Sequence, residues 1–98
     1  MEGIVSLDFS KGVTKPEQVL ARQIDGEMVI LDLASEAYFG LDEVGTAMWN
    51  EMIQADSIEL AYQSLLEQYD VEPETLRVDM QTLLEQFIEK QLLEFRAP

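Results

Sequence analysis

The 98-residue chain is long enough for one domain and too short for two. Twenty acidic residues against six basic ones give a net charge of −14, which repels phosphate backbones at long range and argues against nucleic acid as a partner. There is no histidine and no cysteine, so the commonest general base, thiol nucleophiles, disulfides and thiolate or imidazole metal sites are excluded together.

Residues 1–16 read as an N-terminal arm. Ile4, Val5, Leu7 and Phe9 alternate enough for a short extra strand pinned to the sheet, and Gly12 and Pro16 then interrupt. Pro16 holds Lys15 extended. The domain proper spans residues 17–95. Val19 to Ile24 is a strand, and Asp25-Gly26 is a type I′ hairpin signal, because both central residues of that turn need positive φ. Met28-Val29-Ile30-Leu31-Asp32-Leu33 is the second strand. Its near-continuous apolar run suggests a central position, covered in part on both faces. Ala34-Ser35-Glu36 makes a turn, and Ala37-Tyr38-Phe39-Gly40-Leu41 is the third strand.

Helices follow. Asp42 suits an N-cap, with Glu43 favouring the positive end of the helix dipole. Gly45, Met48, Trp49, Met52 and Ile53 share one helical face, and Gly45 suggests the close approach of another backbone. Asp56-Ser57 caps a second helix with the stripe Ile58, Ala61, Tyr62, Leu65, Leu66 and Tyr69, the two tyrosines at the core's edge with wet hydroxyls. Asp70-Val71-Glu72 breaks it. Pro73 suits the first position of a third helix running to about Gln91. On that helix Leu76, Met80, Leu83 and Phe87 form the simplest core arc. Asp79, Thr82 and Gln86 flank it on one side, and Arg77, Gln81, Leu84 and Ile88 on the other. Leu92, Leu93 and Phe95 form an apolar tail that docks back as a last turn.

The fold class expected is α+β: a three-stranded antiparallel β-meander followed by three α-helices, packed in two layers. The arrangement is winged helix-turn-helix-like. A DNA-reading third helix is nevertheless disfavoured, since it carries only Arg77 and Lys90 against Glu74, Asp79, Glu85 and Glu89. No phosphate loop and no EF-hand spacing is present, and the acidic residues read as a solvated surface. No apolar run nears the roughly 18 residues of a membrane span, and no signal peptide is visible. Zero cysteines fit a cytoplasmic protein. No catalytic residue, metal ligand or cofactor is therefore assigned, and the chain is not expected to be an enzyme.

What stands out is the third strand. A meander that breaks off into helices leaves its last strand as a sheet edge. From Ala37 to Leu41 that edge holds no proline, lysine or other charge, the devices that usually blunt an edge. Tyr38 and Phe39 point to opposite faces, and the sequence leaves open which of them meets the helices. An open edge can accept a peptide or a second copy of the chain.

The sequence also resembles the PqqD family, described too as the RiPP recognition element, over residues 17 to 94. The resemblance is carried by the Asp25-Gly26 hairpin with Val29-Ile30-Leu31-Asp32, and by Tyr38-Phe39-Gly40-Leu41-Asp42 running into Gly45-Thr46-Ala47-Met48-Trp49. It is carried further by Ser57-Ile58-Glu59-Leu60-Ala61, Tyr69-Asp70-Val71, Val78-Asp79 and Leu92-Leu93. The family often has Asn at the position of Asp42 and Gly at that of Gln91. The resemblance implies a non-catalytic domain that binds the leader segment of a ribosomally made precursor peptide, as a strand added beside the third strand. Its peptide-binding residues would be Ala37, Tyr38, Phe39, Gly40 and Leu41, with Asp79, Thr82, Leu83 and Gln86 from the third helix. It implies a partner that processes the peptide, such as a lasso-type leader peptidase or a radical-SAM enzyme. A sequence from Met1 to shortly past the domain suggests a standalone member. The alternatives are a winged-helix transcriptional regulator and a homodimeric assembly subunit.

Overall fold

A computed structural model describes residues 8–96. The order is β1 (Val13–Thr14), β2 (Val19–Ile24), β3 (Glu27–Asp32), β4 (Ala37–Leu41), α1 (Glu43–Gln54), α2 (Ile58–Gln68), α3 (Pro73–Glu89) and β5 (Glu94–Phe95). The fold is α+β, with an antiparallel sheet in the order β2-β3-β4 followed by three helices, the last two forming the helix-turn-helix pair. Of the alternating residues expected to make an extra strand, Ile4, Val5 and Leu7 lie outside the described residues. Phe9 is a core residue, and the arm's strand is Val13–Thr14, paired with β5 rather than with the meander.

The meander forms where its turn chemistry directs. Asp25 and Gly26 take φ values of 52° and 84°, closing the β2–β3 hairpin so that Val19 faces Asp32 and Ile24 faces Glu27. At the second turn Asp32 Oδ1 accepts from Ala34 N (3.0 Å) and Glu36 takes the left-handed conformation. Ile30 then lies between Ala21 and Phe39, and Leu31 between Leu20 and Tyr38. Because side chains alternate with period two, Val19, Met28, Ile30 and Asp32 are buried against the helices while Leu20, Arg22, Ile24, Val29, Tyr38 and Gly40 face outward. β3 is central, as its apolar run suggests, yet its outer face is open: Val29 is 41% exposed.

The helix starts also follow local sequence. Asp42 Oδ1 accepts from Gly45 N at 2.8 Å, Ser57 Oγ from Leu60 N at 3.1 Å, and Pro73 opens α3. Each side-chain cap satisfies an amide that the helix leaves unpaired. The expected backbone approach at Gly45 is absent: a Cβ there would meet the Asp42 carboxylate and the Leu41 side chain, at 3.4 Å. Trp49 is fully buried, edge-on to Phe87 with ring centroids 5.0 Å apart. The Tyr62 hydroxyl is not wet but donates to the Pro73 carbonyl (3.0 Å).

On α3 the buried arc is Leu76, Met80, Leu84 and Phe87. Leu84 takes the core position expected of Leu83, which is half-buried at the arc's rim. α3 ends at Glu89, short of the expected Gln91. Gln91 adopts φ 61°, and Gln91 N and Leu92 N donate to the carbonyls of Ile88 and Phe87. This is the Schellman closure with glutamine in the place that glycine usually takes. The apolar tail is extended rather than helical: Leu92 and Leu93 are buried and Glu94–Phe95 forms β5.

The two ends of the described chain close one corner of the core. The carbonyls of Phe9 and Lys11 accept from Glu59 N and Ile58 N, both at 2.8 Å, so the arm itself helps to cap α2. Arg96 N donates to the Gly12 carbonyl (2.8 Å), and Arg96 Nη2 donates to the Val13 carbonyl (2.9 Å). A Cβ at Gly12 would stand 2.6 Å from the Asp56 carbonyl oxygen, so only glycine fits there.

Candidate functional site

The sheet has two edges, and they differ. β2 carries Arg22, and its Val19 carbonyl accepts from Lys15 Nζ. β4 has one partnered side, toward β3. Among the described residues its other side has no strand beside it, and β4 holds no charged residue from Ala37 to Leu41. Phe39 is half-buried and packs against the core. Tyr38 is 75% exposed on the outer face, which decides the question the sequence left open.

Asp79, Thr82, Leu83 and Gln86 come together on one flank of α3. With Asp42, Val44, Gly45 and Met48 they line a hollow of about 300 Å³. Its floor is apolar, from Met48 and Leu83, and its rim is polar, from Asp42, Asp79, Thr82 and Gln86. The opposite flank is occupied. Arg77 pairs with Glu59 (Nη1 to Oε1, 3.1 Å) and stacks over Phe9 and Tyr62, its guanidinium carbon 4.4 and 5.0 Å from their ring centroids. Donation from Gln63, and then from Arg77, holds the Glu59 carboxyl below the ordinary glutamate range.

The nine residues named from the resemblance thus form two groups. Ala37 to Leu41 make the edge, and the α3 residues face the first turn of α1. Asp42, which directly follows β4, joins them. Val44, Gly45 and Met48 belong to the same hollow and were missed by sequence reasoning. The signal available for them was the Asp42 cap, which fixes the first turn of α1 against the end of β4. A further missed residue is Lys90, whose Nζ lies 5.3 Å from the Phe39 ring centroid, where the end of α3 reaches the sheet. Among the described residues no group of three carboxylates gathers as a metal site, and no helix is long and apolar enough to cross a membrane.

The uncharged edge of β4 and the part-apolar hollow that begins at Asp42 are the two features that set this side of the domain apart. A family model described as coenzyme PQQ synthesis protein D (PqqD) matches residues 27–93, and the chain belongs to the PqqD family. Two solved structures are similar over nearly their whole length. TbiB1 in complex with the TbiA(beta) leader peptide has a TM-score of 0.77 at 30% identity, over 87% of this chain and 99% of that one. A lasso peptide synthetase B1 complexed with the leader peptide has a TM-score of 0.75 at 22% identity, over 84% and 96%. No curated protein matches the sequence.

Proposed function

We propose that the protein binds the leader segment of a ribosomally synthesised precursor peptide and presents it to a separate enzyme, a lasso-type leader peptidase or a radical-SAM enzyme, without chemistry of its own. The observation that carries this reading is the open, uncharged edge of β4 beside the hollow under Asp79, Thr82, Leu83 and Gln86. The likeness to a 30%-identical protein bound to a leader peptide supports it. The leader adds as a strand along Ala37–Leu41, and its inward side chains enter the space between β4, the start of α1 and α3.

The energetics are adequate. About four backbone hydrogen bonds contribute ~0.5–1.5 kcal/mol each, and two buried apolar anchors ~1.5–3 kcal/mol each. Ordering a flexible leader opposes this by ~2–5 kcal/mol. The balance spans about 0–10 kcal/mol, so micromolar binding requires the hydrogen bonds and anchors to act near the top of their ranges. Asp42 and Asp79 at the rim favour a basic residue in the leader, so binding weakens with salt. Titration with the precursor's leader peptide, followed by amide NMR, tests the reading. Shifts concentrate on Ala37–Leu41 and on α3 from Asp79 to Gln86; shifts that avoid both sink it.

The same edge favours one second reading, a homodimer paired β4 to β4. Sedimentation over a range of concentrations separates the two, since a dimer that dissociates as leader is added places both partners on one edge. A DNA-binding role is opposed by the exposed face of α3, where Glu74, Asp79, Glu85 and Glu89 are exposed and Arg77 is held against Phe9, Tyr62 and Glu59.

A further inference from the structure

Gly40 is a glycine that the fold does not require. Its φ is not in the left-handed region. A Cβ built on it would meet nothing within 4 Å. A strand interior ordinarily disfavours glycine, and one kept there marks a place where something else approaches. Here it sits on the outer face of the edge strand, paired with Val29 and two residues from the exposed Tyr38.

The gap opens into a second hollow, distinct from the one under α3. It has a volume of about 460 Å³ and is lined by Ile24, Val29, Gly40 and Leu41, with Asp25, Glu27 and Asp42 also on its wall. Ile24 is 58% exposed, so the apolar part of this wall is uncovered. The hollow is continuous with the open edge of β4. A chain added there must place every second side chain outward, on this face. Whatever is paired with Gly40 therefore lies over the gap, between the Tyr38 ring and the Val29–Ile24 surface.

Resting on the strand-addition reading, we propose that the peptide residue paired with Gly40 is aromatic and that its ring lies across the glycine in this outer hollow. Large opposite small is how facing positions fill space. An aromatic ring laid over a cross-strand glycine covers the backbone that the missing side chain leaves bare. Tyr38 offers a diagonal ring-to-ring contact, and Val29 and Ile24 supply the apolar bed. The carboxylates of Asp25, Glu27 and Asp42 reject an acidic residue at this position. The leader is then read on both faces, by the hollow under α3 for its inward side chains and by Gly40 for one outward ring.

The test uses the full chain, immobilised, and a displayed library of random 16-residue peptides. Peptides enriched on the wild type are synthesised and measured against wild type, Gly40→Ala and Gly40→Val. The expected result is an aromatic residue at one fixed position in the enriched set. Affinity falls severalfold on Gly40→Ala and at least tenfold on Gly40→Val, with thermal stability unchanged or raised because the added methyls enter open space. Replacing the peptide's aromatic residue by alanine makes the three proteins bind within twofold of one another. Equal affinity for wild type and Gly40→Val, with amide shifts on β4, overturns this inference and leaves strand addition standing. Amide shifts that avoid β4, or no enrichment at all, overturn both.

Discussion

Two regions of the molecule solve the problem of backbone hydrogen bonding in opposite ways. At the corner where the described ends of the chain meet, carbonyls and amides from the arm, α2 and β5 satisfy one another. Arg96 binds the Val13 carbonyl there, and Gly12 leaves no room for another atom. At the β4 edge no described strand pairs with the outer side. The strand is uncharged, Tyr38 stands in solvent, one hollow lies on the outer face of the sheet and another between α1 and α3. The difference teaches where substitution acts on folding and where it acts on binding. The corner should carry stability without affinity, and the edge affinity without stability.

The sharpest way to break that comparison is Gly12→Ala. The new methyl meets a backbone oxygen that cannot swing away, so urea unfolding should show a loss of about 1–3 kcal/mol while the folded protein binds leader peptide unchanged. Next is Leu83→Ala at the groove. Calorimetric titration should show leader affinity reduced about tenfold, equivalent to about 1.4 kcal/mol, with a smaller change in thermal midpoint. A loss of stability without a loss of affinity would move Leu83 from the site to the core. Gln91→Gly relieves a left-handed glutamine at the end of α3 and should stabilise by about 0.5–1 kcal/mol with no effect on binding.

The smallest effect is at Glu59. Its carboxyl titrates lower in the folded protein than in the unfolded chain. Its contribution is therefore present above the unfolded pKa and lost as pH falls through the folded value. The pair with Arg77 is solvent-exposed, so the effect amounts to a few tenths of a kcal/mol. Between about pH 5 and pH 3, wild-type stability should fall slightly more steeply than that of Glu59→Gln, as chemical denaturation at stepped pH would record.

Much of this is legible in the sequence. Asp25-Gly26, Asp42, Ser57 and Pro73 encode their turn, caps and helix start within a few residues, so each element begins where local chemistry places it. The edge itself was visible as an uncharged run followed immediately by a helix cap. Less legible was the side of α3 that faces the site. Leu83 and Leu84 are adjacent and alike, and helical spacing alone cannot rank two leucines that both border the apolar arc. The hollow also takes half its wall from α1, more than thirty residues away from Asp79 in sequence, and no spacing rule connects the two. The role of Glu94–Phe95 was equally hidden, because a two-residue strand exists only through its partner, Val13–Thr14.

The sequence by itself determined the order and class of the elements, the absence of histidine and thiol chemistry, the sign of the surface charge and the unguarded strand. These depend on residues close together in the chain or on composition alone. Only the tertiary structure decided that Tyr38 faces solvent and Phe39 the core, that Arg77 turns away from the hollow under α3, and that Gly40 opens onto a hollow of its own. Each of these depends on which surfaces meet across the fold, and that follows from packing the helices on one face of the sheet while, among the described residues, the other face and one edge stay uncovered.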